Sequence, residues 1–429
     1  MATKQKMETK GKKKARLAVK ILIIIALVIG ILAGIMAITN VVSNSSNSKF
    51  IMNSLKPVAY EHQLKPEVDK NGNYYFVTDG DFKVLQITDV HIGGGWLSTG
   101  KDTMALNAVA AMITAEKPDL VVVTGDVAYP VPYQAGTFNN KESAKLFATM
   151  MEKLGVYWCM CFGNHDTEIY SYFNRDEIAA MYQDHEKFKH CLLQKGPDDV
   201  DGACNYVVNV KNSAGDITQS LFMFDSHSYT DGDYFGIKWK YDCIHENQVA
   251  WYKDTVKQLT RENKGAQPKS LAFFHIPPQE MRDAFEEYKK AGYKDTENVK
   301  YLYGIIGEGG ELICCSNYNY GIFDAFKENG TQGVFFGHDH LNNMSLNYKG
   351  VQLTYGYSID YLAYGSSISK FGRQRGCTVI TAHPDGTFDQ AQENYYQDKY
   401  VSVNEKEEVD LEHEMGEVTG GISNPLADE

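Results

Sequence analysis

Cysteine is scarce in this chain, which has eight in 429 residues, scattered from Cys159 to Cys377. That number and scatter exclude a small scaffold built on disulfides, and no cysteines have the spacing of a zinc ribbon. Cys191 and Cys204 flank a loop rich in Gly, Pro and Asp and are the first pair to test for a disulfide bond. Cys159 and Cys161 alternate on an apolar run, which predicts one face of a core strand.

Positive charge is also scarce outside the first residues. Residues 1–20 hold eight Lys or Arg side chains against the single acid Glu8, so this tip carries +7. Because the formal net charge is −13, the remainder carries −20. A body this acidic argues against binding to a phosphate backbone, so no nucleic-acid partner is expected.

Long apolar runs are rare too, with one clear case at residues 21–38, where every residue is apolar or glycine. At about 1.5 Å per residue, a helix of that length nearly crosses a hydrocarbon core of about 30 Å. The pattern predicts a basic cytoplasmic tip (1–20) and a transmembrane signal-anchor (21–39), with the carboxyl portion outside the cytoplasm. A cleaved signal peptide, which would leave a secreted protein, is the alternative.

Behind this segment, composition divides the chain into three parts. Residues 40–73 are a predicted stalk and lead-in, and the Ser and Asn run at their start is typical of a flexible linker. Residues 74–395 alternate apolar strands with helical patterns and hairpins, which favours an α/β core with mixed sheets. Residues 396–429 are acidic with little apolar content and are predicted to be disordered.

Polar side chains follow five predicted strands at the point where each strand ends. In chain order they are Asp89 and His91; Asp126; Asn164 with His165 and Asp166; His275; and His338 with His340. Because α/β sheets keep their sites at the carboxyl ends of strands, we expect these side chains to converge.

The residue types predict a pair of metal ions. The candidate ligands are Asp89, His91, Asp126, Asn164, His275, His338 and His340. Carboxylates, imidazoles and one amide oxygen without thiolate suit Fe, Mn or Zn. The set is too large for one tetrahedral ion, whereas two ions about 3.5 to 4 Å apart that share a carboxylate would use it all. Such ions bind phosphoryl oxygens and lower the pKa of a bridging water, so that a metal-bound hydroxide attacks a phosphate ester.

The ordered motifs Asp-x-His, Gly-Asp, Gly-Asn-His-Asp, a single His and Gly-His-x-His resemble those of the calcineurin-like metallophosphoesterases. Stretches at 196–206, 248–252 and 319–323 look like the single-domain branch related to purple acid phosphatases, and the likeness covers roughly residues 81–390. The resemblance implies a four-layer α/β/β/α sandwich of two mixed sheets and a metal-dependent phosphoric ester hydrolase. It also implies how the two metals are held: one by Asp89, His91, Asp126 and His340, the other by Asp126, Asn164, His275 and His338.

Two further residues, His165 and Asp166, are predicted to take part in catalysis without binding a metal. His165 follows the ligand Asn164 and would protonate the leaving group or steady the phosphate. Asp166 is the candidate to orient that imidazole, and the resemblance suggests the same dyad. The chain departs from the purple acid phosphatase pattern in having both His91 and Tyr129. We interpret His91 as the ligand and Tyr129 as a residue beside it, so the enzyme is expected not to be purple.

Several alternatives stay open. A phosphomonoesterase is favoured and a phosphodiesterase is possible. A different class of function is a non-catalytic membrane-anchored binding or receptor module on the same fold, whose sign would be a missing ligand. Among the other histidines, His185, His190 and His245 are predicted to be solvated, and His227 is predicted to be a surface-loop residue, with a place at the mouth of the site as the alternative.

Overall fold

The computed structural model describes residues 2–233, 236, 238–364 and 375–409, with side chains from residue 13 onward. Its α-helices are α1 (Ala2–Ser54), α2 (Thr99–Glu116), α3 (Pro132–Ala135), α4 (Asn140–Leu154), α5 (Arg175–Tyr182), α6 (Glu246–Glu262), α7 (Gln279–Lys290) and α8 (Ile322–Glu328). A 3₁₀ turn spans His165–Thr167. Local signals explain some ends: α5 starts with a capping box between Asn174 and Glu177.

Fourteen strands of the described residues form two sheets. They are β1 (Glu67–Val68), β2 (Tyr74–Val77), β3 (Phe82–Ile87), β4 (Leu120–Thr124), β5 (Trp158–Cys161), β6 (Tyr206–Lys211), β7 (Ile217–Met223), β8 (Lys269–Phe273), β9 (Val299–Tyr303), β10 (Thr331–Phe336), β11 (Ser345–Tyr348), β12 (Val351–Tyr355), β13 (Gly376–Ala382) and β14 (Phe388–Asn394). The five-stranded sheet has the order β14-β13-β3-β4-β5, and the nine-stranded sheet has the order β1-β2-β6-β7-β8-β10-β12-β11-β9. Both are mixed, since parallel β3, β4 and β5 adjoin antiparallel β13, and parallel β8, β10 and β12 adjoin antiparallel β11.

The sheets pack face to face with helices outside. Because side chains alternate along a strand, neighbouring residues of the nine-stranded sheet divide between two cores: Val208, Leu221, Phe273 and Phe335 pack toward the five-stranded sheet, and Val207, Phe222, Ala272 and Phe336 toward α6, α7 and α8. On the other side, α1, α2 and α4 pack together over the five-stranded sheet. The predicted four-layer sandwich of two mixed sheets is confirmed.

The start of the predicted stalk differs from the expectation of a flexible linker. Residues 40–54 continue α1, and Ser43, Asn47 and Ile51 are buried at helical spacing against the domain. Composition suggested a linker because Ser and Asn have low helix propensity, but tertiary contacts override such a preference. The domain boundaries themselves stay predictions.

Helix α1 is long and apolar enough to cross a membrane, and the side chains of its apolar stretch are exposed. A signal sequence near an N-terminus can also be long and apolar enough to do so.

The predicted disordered tail is partly packed. Tyr400 is fully buried, and Glu407 binds the guanidinium of Arg375 at 2.8 Å. Residues 410–429 of that tail lie outside the described residues.

All eight cysteines are free, so the Cys191–Cys204 disulfide is not formed. Cys191 pairs with the backbone of Trp158, at the start of β5, whereas the Cys204 sulfur accepts the N–H of Phe162, just beyond the end of β5. The two cysteines therefore lie near opposite ends of this strand.

Candidate metal centre

The candidate ligands lie just beyond the ends of β3, β4, β5, β8 and β10, as the strand pattern predicts. All seven are buried, and none is more than 8% exposed: Asp89, His91, Asp126, Asn164, His275, His338 and His340. Buried carboxylates and imidazoles are costly unless they are paired or bind a metal. Their collection at one point therefore needs a compensating charge.

Backbone strain is concentrated at the same residues. Asp89, His91, Asp126 and His338 have φ values of 51°, 53°, 52° and 81°. Non-glycine residues rarely adopt this left-handed region, and such strain costs about 1–3 kcal/mol for each residue. It persists where surrounding structure imposes it and is typical of functional sites.

Two glycines permit the close packing behind the ligands. A Cβ atom on Gly163 would collide with the Asp126 carboxylate, and one on Gly337 would collide with Thr88 and Asp89. Because there is no room for a Cβ atom, each of these two positions requires glycine.

The first group of ligands comprises Asp89, His91, Asp126 and His340, whose ligand atoms lie within 4.8 Å of one another. His91 Nε2 is 3.4 Å from Asp126 Oδ2, and His340 Nε2 is 3.4 Å from Asp89 Oδ1. Asp360, for which the sequence pattern offers no signal, lies behind both rings. Its carboxylate is 3.3 Å from His91 Nδ1 and 3.1 Å from His340 Nδ1, so it orients two imidazoles at once.

The second group forms around His275. Its Nε2 lies 3.1 Å from Asp126 Oδ2, 3.1 Å from Asn164 Oδ1 and 3.3 Å from His338 Nδ1. Its Nδ1 donates a hydrogen bond to the Thr124 carbonyl at 2.8 Å. Burial lowers the pKa of His275, but the charge of Asp126 more than offsets it and raises that pKa to about 9. Metal binding at Nε2 would therefore replace a proton there.

The convergent atoms fit a cation. The inward Nε2 of His275 faces a carboxylate, an amide oxygen and another ring nitrogen, and one proton on Nε2 can satisfy only one of these three atoms. A metal ion at each group would satisfy these acceptors, and the N and O donors suit Fe, Mn or Zn.

Electrostatics favour the ligand forms of two of these residues. Burial raises the pKa of Asp126, but His275 and His165 more than offset it and hold that pKa well below its ordinary value. Burial and the neighbouring His275 lower the pKa of His338 well below its ordinary value. Asp126 is therefore anionic and His338 neutral, as metal binding requires.

His165 lies at the mouth of the centre, where its side chain is one-quarter exposed. Its backbone N–H donates to Asp126 Oδ1 at 2.8 Å, and its Nδ1 lies 2.8 Å from Glu168 Oε1. Tyr229 donates to the same Glu168 oxygen at 3.0 Å and accepts from Asn164. Glu168, not the predicted Asp166, is thus the carboxylate that holds the imidazole.

Asp166 has another task. Its carboxylate accepts the backbone N–H groups of Asp126, Ala128 and Gly163 at 2.8 to 3.0 Å. The prediction that Asp166 orients His165 is therefore corrected. The reason is local: His165 begins a 3₁₀ turn, in which side chains three residues apart lie on one face. A glutamate three positions after the histidine was the available signal.

Tyr129 packs on the ligand side without facing the ligand atoms. Its ring stacks on His91 with centroids 4.6 Å apart, and its hydroxyl donates to Gln134 at 3.1 Å. Burial raises the pKa of this phenol. The hydroxyl therefore stays protonated and points away from the candidate ligand atoms, toward Gln134.

A cavity of about 780 Å³ opens over His165 and is lined mainly by aromatic side chains. They are Tyr129, Tyr133, Phe138, Tyr170, Tyr229, Trp239, Tyr241 and Tyr364. Within the described part of the chain, the carboxyl side chains that line it are Glu168 and Glu308, and the imidazole that lines it is that of His165. A substrate would meet planar apolar walls before it reached the ligands.

Three of the remaining histidines have partners that the sequence did not reveal. His190 Nδ1 binds Glu152 at 2.7 Å. His227 stacks on His245 with centroids 4.1 Å apart, and His245 lies between Asp201 at 2.7 Å and Asp242 at 3.1 Å. The prediction that His190 and His245 are merely solvated is wrong.

The comparisons with known proteins agree with this geometry. A family model described as calcineurin-like phosphoesterase matches residues 82–342. Among curated proteins, the chain is 31% identical over 340 residues to "Probable inactive purple acid phosphatase 14" of Arabidopsis thaliana, covering 73% of this chain and 78% of that protein. It is 29% identical over 318 residues to "Probable inactive purple acid phosphatase 28" of the same plant, covering 68% and 73%.

More distant likenesses were also found. "Phosphatase DCR2" of Saccharomyces cerevisiae is 27% identical over 288 residues, which cover 62% of this chain and 45% of the yeast protein. The crystal structure of a dimetal phosphatase from Danio rerio aligns with a TM-score of 0.42 at 10% identity, covering 73% of this chain and 99% of that chain.

Proposed function

The chain belongs to the calcineurin-like phosphoesterase family, and on that premise we propose that it hydrolyses phosphate esters at a two-metal centre. The carboxylate of Asp126 carries the proposal, because its Oδ2 faces His91 Nε2 at 3.4 Å and His275 Nε2 at 3.1 Å. A carboxylate shared between two ligand groups is what a pair of neighbouring ions requires.

The two ligand groups divide the seven residues. One ion would be held by Asp89, His91, Asp126 and His340, and the other by Asp126, Asn164, His275 and His338. When bound, the pair would supply Lewis acidity that neutralises the phosphoryl oxygens and lowers the pKa of the attacking water. Asp360 and the Thr124 carbonyl keep the imidazoles turned toward these positions.

His165 is the proposed proton donor to the leaving group, or the group that steadies the phosphate. Because Glu168 engages Nδ1, the ring is left with Nε2 to hold or release a proton. Tyr229 and Glu168 fix the orientation of the ring, and its backbone N–H is bound to Asp126. Phosphate monoesters are the favoured substrates, although the cavity also has room for diesters.

One assay tests the proposal. The purified full-length chain is analysed for bound metals and is then offered para-nitrophenyl phosphate and its bis ester. We expect about two metal ions for each chain and faster hydrolysis of the monoester. A metal-loaded chain that hydrolyses neither ester would contradict the proposal.

That contrary outcome would favour the second candidate, a membrane-anchored binding or receptor module. It is kept because two of the relatives above carry the words "probable inactive" in their names. Against it, all seven ligand positions of this chain hold residues able to bind a metal.

The proposed location is a membrane. Helix α1 would cross it once, with the basic tip in the cytoplasm and the catalytic domain outside. Cleavage of a signal peptide would instead release the domain. Amino-terminal sequencing of the mature protein distinguishes the two, because an anchor keeps residues 1–40.

A further inference from the structure

Helix α1 is fastened to the folded domain with no free linker behind its apolar stretch. Asn40 bridges two loops, since its amide donates to the Gly136 carbonyl at 3.2 Å and its oxygen accepts the Trp96 N–H at 2.9 Å. One turn later Ser43 donates to the Gly95 carbonyl at 2.9 Å. The next turn continues the attachment, because Asn47 accepts the Thr103 hydroxyl at 2.7 Å.

These contacts set the height of the domain above the membrane that α1 would cross. The apolar run ends at Ile38, so Asn40 lies two residues beyond it, about 3 Å along the helix axis. The loops that Asn40 bridges therefore lie at the level where the apolar run ends, which is the headgroup layer.

The side chains at that level form an apolar and aromatic surface, which we call the lip: Trp96, Leu97, Tyr133 and Tyr172. Trp96 is 47% exposed and Tyr133 is 78% exposed. Tyr133 belongs to α3, whose C-cap is Gly136. The backbone N–H of Leu97 donates to the carbonyl of Ala135 in the same helix. Tyr172 adjoins this surface because its ring stacks on the ring of Phe138.

The four lip side chains carry no charge, although the body of the chain is strongly acidic. Segments 92–100 and 127–140, which hold Trp96, Leu97 and Tyr133, contain no Lys, Arg, His, Asp or Glu. Exposed Trp and Tyr on an uncharged surface suit the boundary between lipid and water, where an aromatic ring is apolar on its face and polar at its tip.

Segment 127–140 also forms one wall of the cavity over His165. Val131, Pro132, Tyr133 and Phe138 line it. We propose that the lip rests in the headgroup layer of the membrane that α1 crosses, so that the cavity opens along the membrane surface. The inference rests on the proposed anchoring of α1 and is independent of catalysis.

The test uses the full-length chain in phosphatidylcholine vesicles. Tyr133→Cys is labelled with an environment-sensitive fluorophore, and Tyr318→Cys is the matched control because Tyr318 is 57% exposed. Tyr318 lies beside Asn319, which binds Glu280 of α7 in the outer layer opposite α1. The unsubstituted chain, treated identically, gives the background from Cys243 and Cys314, which are only partly buried.

We expect the Tyr133→Cys probe to be blue-shifted and to be quenched by headgroup-proximal doxyl lipid at least about twofold more than the Tyr318→Cys probe, as an interfacial position requires. Equal quenching at both positions in chains that float with the vesicles would overturn the lip contact. Chains that do not float would overturn it too, together with the anchor. Neither result touches the ester hydrolysis assay, so a failure here is distinguishable from a failure of the proposed enzyme.

Discussion

Two clusters of histidine and aspartate in this protein look alike by residue type but differ in what they can do. The first is the ligand group Asp89, His91, Asp126 and His340, and the second comprises His227, Asp242 and His245. In each cluster the ligand atoms lie within 4.8 Å of one another. The first is buried behind the strand ends, whereas the second is half-buried beside α6.

The difference lies in where the ring nitrogens point. In the first cluster Asp360 takes the outer nitrogens of His91 and His340, which leaves the inner ones facing carboxylates across a gap. In the second, carboxylates lie closer to both nitrogens of His245, at 2.7 and 3.1 Å, and its ring stacks on His227 at an interplanar angle of 20°. Nearly parallel stacked rings cannot both aim in-plane lone pairs at one ion. The first arrangement suits a metal, and the second suits an imidazolium held between acids.

Replacement of Asp126 should have the largest effect. Asp126→Asn removes the shared anionic oxygen, so we expect hydrolysis of para-nitrophenyl phosphate to fall below detection and bound metal to drop. The matched change in the other cluster, Asp242→Asn, should leave metal content and turnover intact. Unchanged turnover in Asp126→Asn, with far-ultraviolet circular dichroism preserved, would remove the basis of the assignment.

Removal of the His165 imidazole should come next. His165→Ala takes away a proton donor but no proposed metal ligand, so kcat should fall about 10²- to 10⁴-fold at constant metal content. The loss should be greater for an alkyl phosphate than for para-nitrophenyl phosphate, whose leaving group needs less protonation. Equal losses for both esters would argue that His165 steadies the phosphate instead.

Asp360 should have an intermediate effect through the imidazoles that it orients. Asp360→Asn weakens the hold on His91 and His340, so metal affinity should drop about 10- to 100-fold. Competition with a chelator measures this affinity. Saturating metal should restore most of the activity, and a variant that stays inactive in saturating metal would mean that Asp360 does more than orient the rings.

The second cluster should contribute only to stability, with the smallest effect. Asp242 and Asp201 raise the pKa of His245 to about 9, so its stabilising contribution is complete below its ordinary pKa of about 6.5 and is lost as the pH rises through 9. Because the side chain is 28% exposed, solvent screening limits the contribution to about 1 kcal/mol.

Thermal unfolding of His245→Gln checks this contribution. The variant should have a lower Tm than the unsubstituted chain at pH 6 and the same Tm at pH 10. A deficit that is equal at both pH values would show that the imidazolium charge is not responsible.

The strand-end residues were predictable because their signal is local. An apolar strand that stops at a glycine, as before His338, places the next polar residues at a sheet edge. The residues that were missed or misassigned lack such a signal. Asp360 comes from a distant turn to reach His91, and Glu168 reaches His165 only because a 3₁₀ turn brings it to the same face.

The α/β class, the apolar helix and the residue types able to bind a metal could be read from the sequence, because period, length and side-chain chemistry are properties of short segments. Three features needed the folded structure: which carboxylate binds which imidazole, which histidine cluster has converging lone pairs, and the packing of the Ser and Asn run on the domain. Those outcomes depend on distances of a few ångströms between segments far apart in the chain, and the packing of the two sheets sets them.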